Sequence, residues 1–259
     1  MSLVLSEPGK VWRLALNRPE ARNAVSPAVL GELVAALEAA GSDPECRVVI
    51  LSGAGKDFCA GADVHDLIAS RDGGNPAGFA TAFEAALRAI EDHARPVIAA
   101  VHGAALGAGC QIASACDLVV AAEDARFGIP SARLGIVVNY ENIERLVRSI
   151  GPKRAAEMLL SARTVTGVDA VEWGLANAAV EPGALEAAVD DLAGRIASLA
   201  PLSLTASKRG IVAVARSWSA DSGGRGAFDA SAAQALASHD LAEGLAAFRE
   251  RRAPEFRGG

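Results

Sequence analysis

The sequence lacks the marks of several common protein classes. Nothing in its 259 residues resembles a long basic run, and the formal net charge is -6. Nucleic acid is therefore not an expected partner. A polyanionic ligand would need a local basic patch to oppose that overall field. No stretch reaches the ~18 uninterrupted apolar residues of a membrane span. Glu7, Lys10 and Arg13 come before any apolar run develops, which is not a signal-peptide pattern. The four cysteines, Cys46, Cys59, Cys110 and Cys116, include no C-x-x-C pair. A chain this long does not need disulfide staples, so they read as reduced thiols of a cytoplasmic protein.

Familiar catalytic and binding motifs are missing too. There is no G-x-S-x-G elbow and no phosphate-binding Walker loop. Gly53-x-Gly55 and Gly107-x-Gly109 both lack the third glycine of a dinucleotide fingerprint. His65, His93, His102 and His239 are scattered, with no H-x-x-x-H spacing, so no metal is expected. Tyr140 is the only tyrosine.

What is present suits a globular core, with 51% hydrophobic and 22% charged residues. Val11–Leu16 reads as a strand, closed by the turn Asn17-Arg18-Pro19-Glu20. Ser26 then caps a helix that Pro27 opens and Gly41 closes, with Leu30, Leu33, Val34 and Leu37 as its apolar stripe. Arg47–Ser52, Pro96–Val101 and Asp117–Ala121 are further short apolar runs. Between the last two lies Leu106-Gly107-Ala108-Gly109-Cys110-Gln111, a glycine-spaced opening into a small-residue helix. The alternation predicts an α/β domain with crossover helices.

After Gly135 helices dominate. They are expected over 141–149, 152–161, 168–173, 184–199, 202–216, 226–238 and 241–251. Thr166 with Asp169 matches a capping box, and Gly174 suits the position after a helix end. Asp221–Gly226 reads as a flexible loop.

Several ordered segments resemble the enoyl-CoA hydratase/isomerase, or crotonase, family. They are Leu16-Asn17-Arg18-Pro19-Glu20-Ala21-Arg22-Asn23-Ala24, Phe58-Cys59-Ala60-Gly61-Ala62-Asp63 and the run from Arg95 to Cys110. Ala125–Pro130 and Ser238–Phe248 follow in the same order, so the resemblance spans nearly the whole chain. It implies an α/β crotonase (ClpP-like) spiral of β-β-α units with a helical C-terminal region. Residues 1–200 would form the acyl-CoA-binding core and 201–259 a trimerisation region, giving homotrimers or hexamers. No separate cofactor is implied; coenzyme A arrives as part of the substrate.

The resemblance places two backbone N–H donors at Ala62 and Ala108, aimed at the thioester oxygen. Such a donor is worth about 2.7–4 kcal/mol when negative charge develops there. Position 108 is usually glycine in the family; because the donor is backbone, alanine keeps it unless φ there is positive. By the same resemblance Ala21, Arg22 and Ala60 line the path of CoA. Arg251, from a neighbouring subunit's C-terminal helix, matches a basic position near the nucleotide phosphate.

The acid–base positions are what set this chain apart. Family hydratases carry glutamates where this chain has Gln111 and Ser131, and other members carry a carboxylate where it has Asn139. Neutral side chains can orient water but do not exchange protons near pH 7, and general acid–base catalysis contributes about 10²–10⁴-fold. His65 and Glu141 are candidate replacements, and each also suits an exposed position in a first helical turn. The Tyr140 hydroxyl could touch substrate or pack in the core. Three readings stay open: an enzyme using the donors with little acid–base help, such as a decarboxylase; a conventional hydratase or isomerase that has recruited Glu141 or His65; and a non-catalytic acyl-CoA binder.

Overall fold

The computed structural model describes residues 3–66, 68, 76–217 and 224–256. Its organising element is a six-stranded sheet in the order β1 (Val4–Glu7), β2 (Val11–Leu16), β3 (Val48–Gly53), β4 (Val97–Val101), β6 (Leu118–Ala122), β9 (Ala178–Val180). Only the β1–β2 pair is antiparallel. In β2, buried Trp12, Leu14 and Leu16 alternate with half-exposed residues. Every residue of β4 and all but Ser52 of β3 are buried, as expected for parallel strands covered on both faces. The register sets Leu14 opposite Leu51 and Ile50 opposite Ile98.

A second, three-stranded sheet joins β5 (Ala104–Leu106), β7 (Arg126–Gly128) and β8 (Val165–Thr166). Cys59 adds a parallel bridge to Ala105. Strand β4 in the large sheet, β5 in the small one and the helix Ala108–Ala115 then form one β-β-α turn of a spiral. This β-β-α turn is the repeat expected of the spiral.

Helix α1 (Pro27–Ser42) begins where Ser26 Oγ accepts from Val29 N–H, and it runs one residue past Gly41. Helix α2 (Pro76–Glu91) matches no element expected from the sequence. It buries Phe83, Ala86, Leu87 and Ile90 and packs on α1. Helix α3 is Ala108–Ala115. Helix α4 (Tyr140–Leu160) breaks at Gly151 (φ 77°, ψ 162°), because Pro152 disfavours helical geometry in the residue before it. Helix α5 (Gly167–Trp173) has the Thr166–Asp169 capping box and a left-handed Gly174. Helix α6 (Leu185–Ala197) packs on β2, β3, β4 and β6.

The C-terminal region contains α7 (Pro201–Ser217), α8 (Gly224–Leu236) and α9 (His239–Glu250). Of the expected loop, 221–223 lie outside the described residues. Gly224–Gly226 are instead the first turn of α8, where N–H groups need no intrahelical partner. Lys208, 6% exposed, fastens α7 to the core. Its Nζ donates to Ile90 O (3.0 Å), Arg95 O (3.2 Å) and Asp117 Oδ2 (2.6 Å). Asp117 Oδ2 also accepts from Val97 N–H at 2.7 Å. Burial pushes the Asp117 carboxyl upward and the Lys208 ammonium opposes that shift. All four cysteines are free and buried, and burial pushes the Cys59 and Cys110 thiols up to about 12.

Lys208→Met should destabilise the protein by about 3–5 kcal/mol, because it strands a buried carboxylate and two carbonyls. Urea unfolding measures this, and a loss below 1 kcal/mol would remove Lys208 as a fastening.

Candidate active site

The expected donor Ala62 sits on a segment held from one side by the loop after β2. Asn23, 1% exposed with φ 56°, donates through Nδ2 to Ala54 O (2.8 Å) and Asp57 O (2.6 Å). Its Oδ1 accepts from Arg18 N–H at 2.9 Å. Arg18 Nη1 in turn reaches Ala24 O (2.9 Å) and Asp63 Oδ2 (3.0 Å). Val25 N–H donates to Gly61 O at 2.9 Å, and Val25 O accepts from Asp63 N–H at 2.8 Å. This parallel bridge uses the peptide groups on either side of Ala62 and turns the Ala62 N–H away from Val25. That N–H donates to no acceptor among the described residues.

Ala108 is the first residue of α3, where an N–H has no intrahelical partner. It is 5% exposed and also donates to no acceptor among the described residues. Its φ is not positive; the left-handed conformation falls on Gly107 (φ 53°, ψ -114°). Alanine at 108 therefore carries no backbone strain.

The two donor segments adjoin. Leu106 N–H donates to Cys59 O at 2.9 Å. A Cβ on Gly109 would stand 2.1 Å from Cys59 O, and one on Gly107 would stand 3.7 Å from Gly61 Cα. Two unmatched N–H groups, one at a helix N-terminus, make a setting suited to an anionic oxygen.

Gln111 lies one turn into α3. Its Nε2 donates to Gly107 O at 3.2 Å, and its Oε1 is buried with no hydrogen-bond partner among the described residues. Ser131, half-buried, opens the turn Ser131–Leu134. Helix α9 docks on that turn so closely that a Cβ on Gly244 would stand 2.5 Å from Leu134 O.

Asn139, Tyr140, Glu141 and His65 are the remaining candidates. Asn139 caps α4, its Oδ1 accepting from Asn142 N–H at 3.0 Å, so that oxygen serves the helix. Tyr140 is half-buried at the first position of α4. Glu141, in the first turn, lines a charged cleft of 200 Å³ with Glu84, Arg88, Glu144 and Arg145. None of Ala62, Ala108, Gln111 or Ser131 lines that cleft. The His65 side chain is 93% exposed, 3.4 Å from Asp63 Oδ1.

A family model described as enoyl-CoA hydratase/isomerase matches residues 6–259. The chain belongs to the enoyl-CoA hydratase/isomerase family. It is 37% identical to the 2,3-dehydroadipyl-CoA hydratase of Escherichia coli, over 99% of this chain and 98% of the relative. Among solved structures it is similar to an enoyl-CoA hydratase/carnithine racemase from Magnetospirillum magneticum, with TM-score 0.81 and 32% identity. That match covers 100% of this chain and 97% of the other. It is also similar to a methylmalonyl-CoA decarboxylase in complex with 2-nitronate-propionyl-CoA, with TM-score 0.92 and 27% identity, covering 100% and 99%.

Within this family member, Ala21, Arg22 and Ala60 come together: Ala60 N–H donates to Arg22 O at 2.9 Å, and Ala24 N–H to Ala21 O at 3.0 Å. The Arg22 guanidinium is spoken for, with Nε and Nη2 on the two oxygens of Asp57 at 2.7 and 3.1 Å. Its charge is thus engaged within the chain rather than standing free for a phosphate. Arg251 ends α9 in a left-handed conformation and is exposed. The helix that carries it docks on this chain's own Ser131–Leu134 turn.

Asn23, Arg18 and Asp63 received no role from the sequence beyond their place in the resembling segments and the turn, and Asp57 lies just outside those segments. Asp57 Oδ1 also accepts from Ala104 N–H at 2.8 Å, joining the Arg22 loop to β5. The Arg22 guanidinium holds the Asp57 carboxyl below the usual carboxylate range, with the Ala104 N–H assisting against burial.

Gly109→Ala should destabilise the fold by about 1–3 kcal/mol through overpacking against Cys59 O, whereas Ala108→Gly should cost less than about 1 kcal/mol. Chemical denaturation of both variants checks the contrast. Because the folded Asp57 pKa is depressed, its stabilisation is fully present above about pH 4 and is lost as pH falls through the lower folded value. Asp57→Asn should therefore flatten the acid limb of a stability–pH profile. An unchanged limb would show that the pair contributes nothing.

Proposed function

We propose that the protein is an acyl-CoA enzyme that seats the thioester oxygen on the Ala62 and Ala108 N–H groups and stabilises an enolate without paired carboxylates. The observation that carries this reading is the pair of unmatched N–H groups on adjoining segments, beside Gln111 and the Ser131 turn. Donors of this kind stabilise charge wherever the chemistry generates it. Decarboxylation of a malonyl-type thioester is the reaction that asks least of an acid or base. The bond from Cα to the carboxylate breaks, CO₂ departs, and the electron pair enters the enolate. Water can then return a proton to Cα. The fold similarity to a methylmalonyl-CoA decarboxylase supports this choice.

Hydration is the second reading, favoured by the 37% identity to a named hydratase. It needs a proton-exchanging group, and of the two candidates His65 is exposed while Glu141 lines a cleft that the donor residues do not share. The reading also includes self-association into a trimer or hexamer. The C-terminal helices leave Leu202, Ile211, Val214, Leu236 and Phe248 exposed, and apolar surface of this kind marks interfaces.

Incubation with methylmalonyl-CoA should release CO₂, while crotonyl-CoA should keep its enoyl absorbance. A hydratase-like loss of that absorbance would reject the decarboxylase reading in favour of the second. Gln111→Glu combined with Ser131→Glu should create measurable hydration. Light scattering should give three or six times the chain mass, and a single-chain mass would remove the assembly.

A further inference from the structure

The Gly107–Ala108 peptide has two functional ends. Its N–H is the Ala108 donor, and its carbonyl accepts both from Gln111 N–H at 3.2 Å and from Gln111 Nε2 at 3.2 Å. The amide's orientation follows from chemistry, since the reverse placement would set Oε1 against Gly107 O with no hydrogen between them. Among the described residues Oε1 has no partner, and the Gly107 contact is the one hydrogen bond of the side chain. A donor on a peptide carbonyl draws electron density through the amide and makes the N–H at its other end a stronger donor. An ionised glutamate at 111 would have no proton to donate and would set negative charge beside Gly107 O.

We infer that Gln111 is a positioning residue that polarises the Ala108 donor, so that this chain holds a hydrogen-bond donor at a position where its hydratase relatives' chemistry would call for a base. The inference rests on the reading that the Ala108 N–H binds the thioester oxygen. Gln111 acts through the far end of the peptide, so its effect grows with the charge on the bound oxygen. Ground-state binding should be little affected and enolate binding more so.

The test uses the full chain with Gln111→Met, which keeps the length and removes the donor, and Gln111→Glu, which keeps the shape. Propionyl-CoA carrying a ¹³C label in its thioester carbonyl serves as ground-state probe, and a 2-nitronate acyl-CoA as enolate mimic. In the parent protein the bound carbonyl stretch should move to lower frequency. Both variants should show a smaller displacement. Their affinity for the nitronate should fall roughly two- to eightfold relative to propionyl-CoA, from a 10–30% weakening of one donor. If one variant fails the circular dichroism check for folding, the other decides. An unchanged carbonyl frequency and affinity ratio in a folded variant would overturn the inference while leaving the functional reading intact. A parent protein that binds no propionyl-CoA, or binds it without shifting the carbonyl, would remove both.

Discussion

The first turn of α3 lies against the Cys59–Ala62 segment at a distance that only glycine permits. Cys59 O occupies the space where a Gly109 side chain would begin, and Gly107 takes up the left-handed bend that lets the helix start there. This contact leaves the Ala62 and Ala108 N–H groups unmatched on neighbouring segments. The surrounding structure holds both sides of it. Val25, Asn23 and the Arg18–Asp63 pair fix the first segment, and Asp57 links it to β5. Gly107 N–H, bonded to Gly128 O at 2.8 Å, fixes the second to the end of β7.

Charge is distributed to suit this arrangement. The ionised groups with the most contacts are paired away from the donors. Arg145, 8% exposed, is gripped by Glu84 and Glu91, and Lys208 by Asp117. Beside Ala108 the named partner is neutral, the Gln111 amide on Gly107, whereas Ala62 is followed directly by the ion-paired Asp63. At Ala108 the helix terminus and the peptide dipoles favour negative charge, and at Ala62 the Asp63 carboxylate is offset by Arg18.

Much of this was legible along the chain, because several determinants are local. A buried strand alternates, as β2 does; a serine before proline opens α1; Thr166 and Asp169 close a capping box; Pro152 breaks a helix at Gly151. Helix α2 was missed although Phe79, Phe83, Leu87 and Ile90 recur at helical spacing, so its signal was local and present. Strands β5, β7, β8 and β9 have two or three residues each, too few to show a period.

By itself the sequence determined the ordered segments that identify the family, the residues at the donor positions, and the neutral side chains at 111, 131 and 139. Those are matters of residue identity and spacing. Only the tertiary structure decided how the side chains are spent: Arg22 on Asp57, Asn139 on the start of α4, His65 in water and Gln111 on Gly107. Such outcomes follow from which donor meets which acceptor first. Arg22 and Asp57 are 35 residues apart, and the bend that brings them together is written in no single stretch of chain.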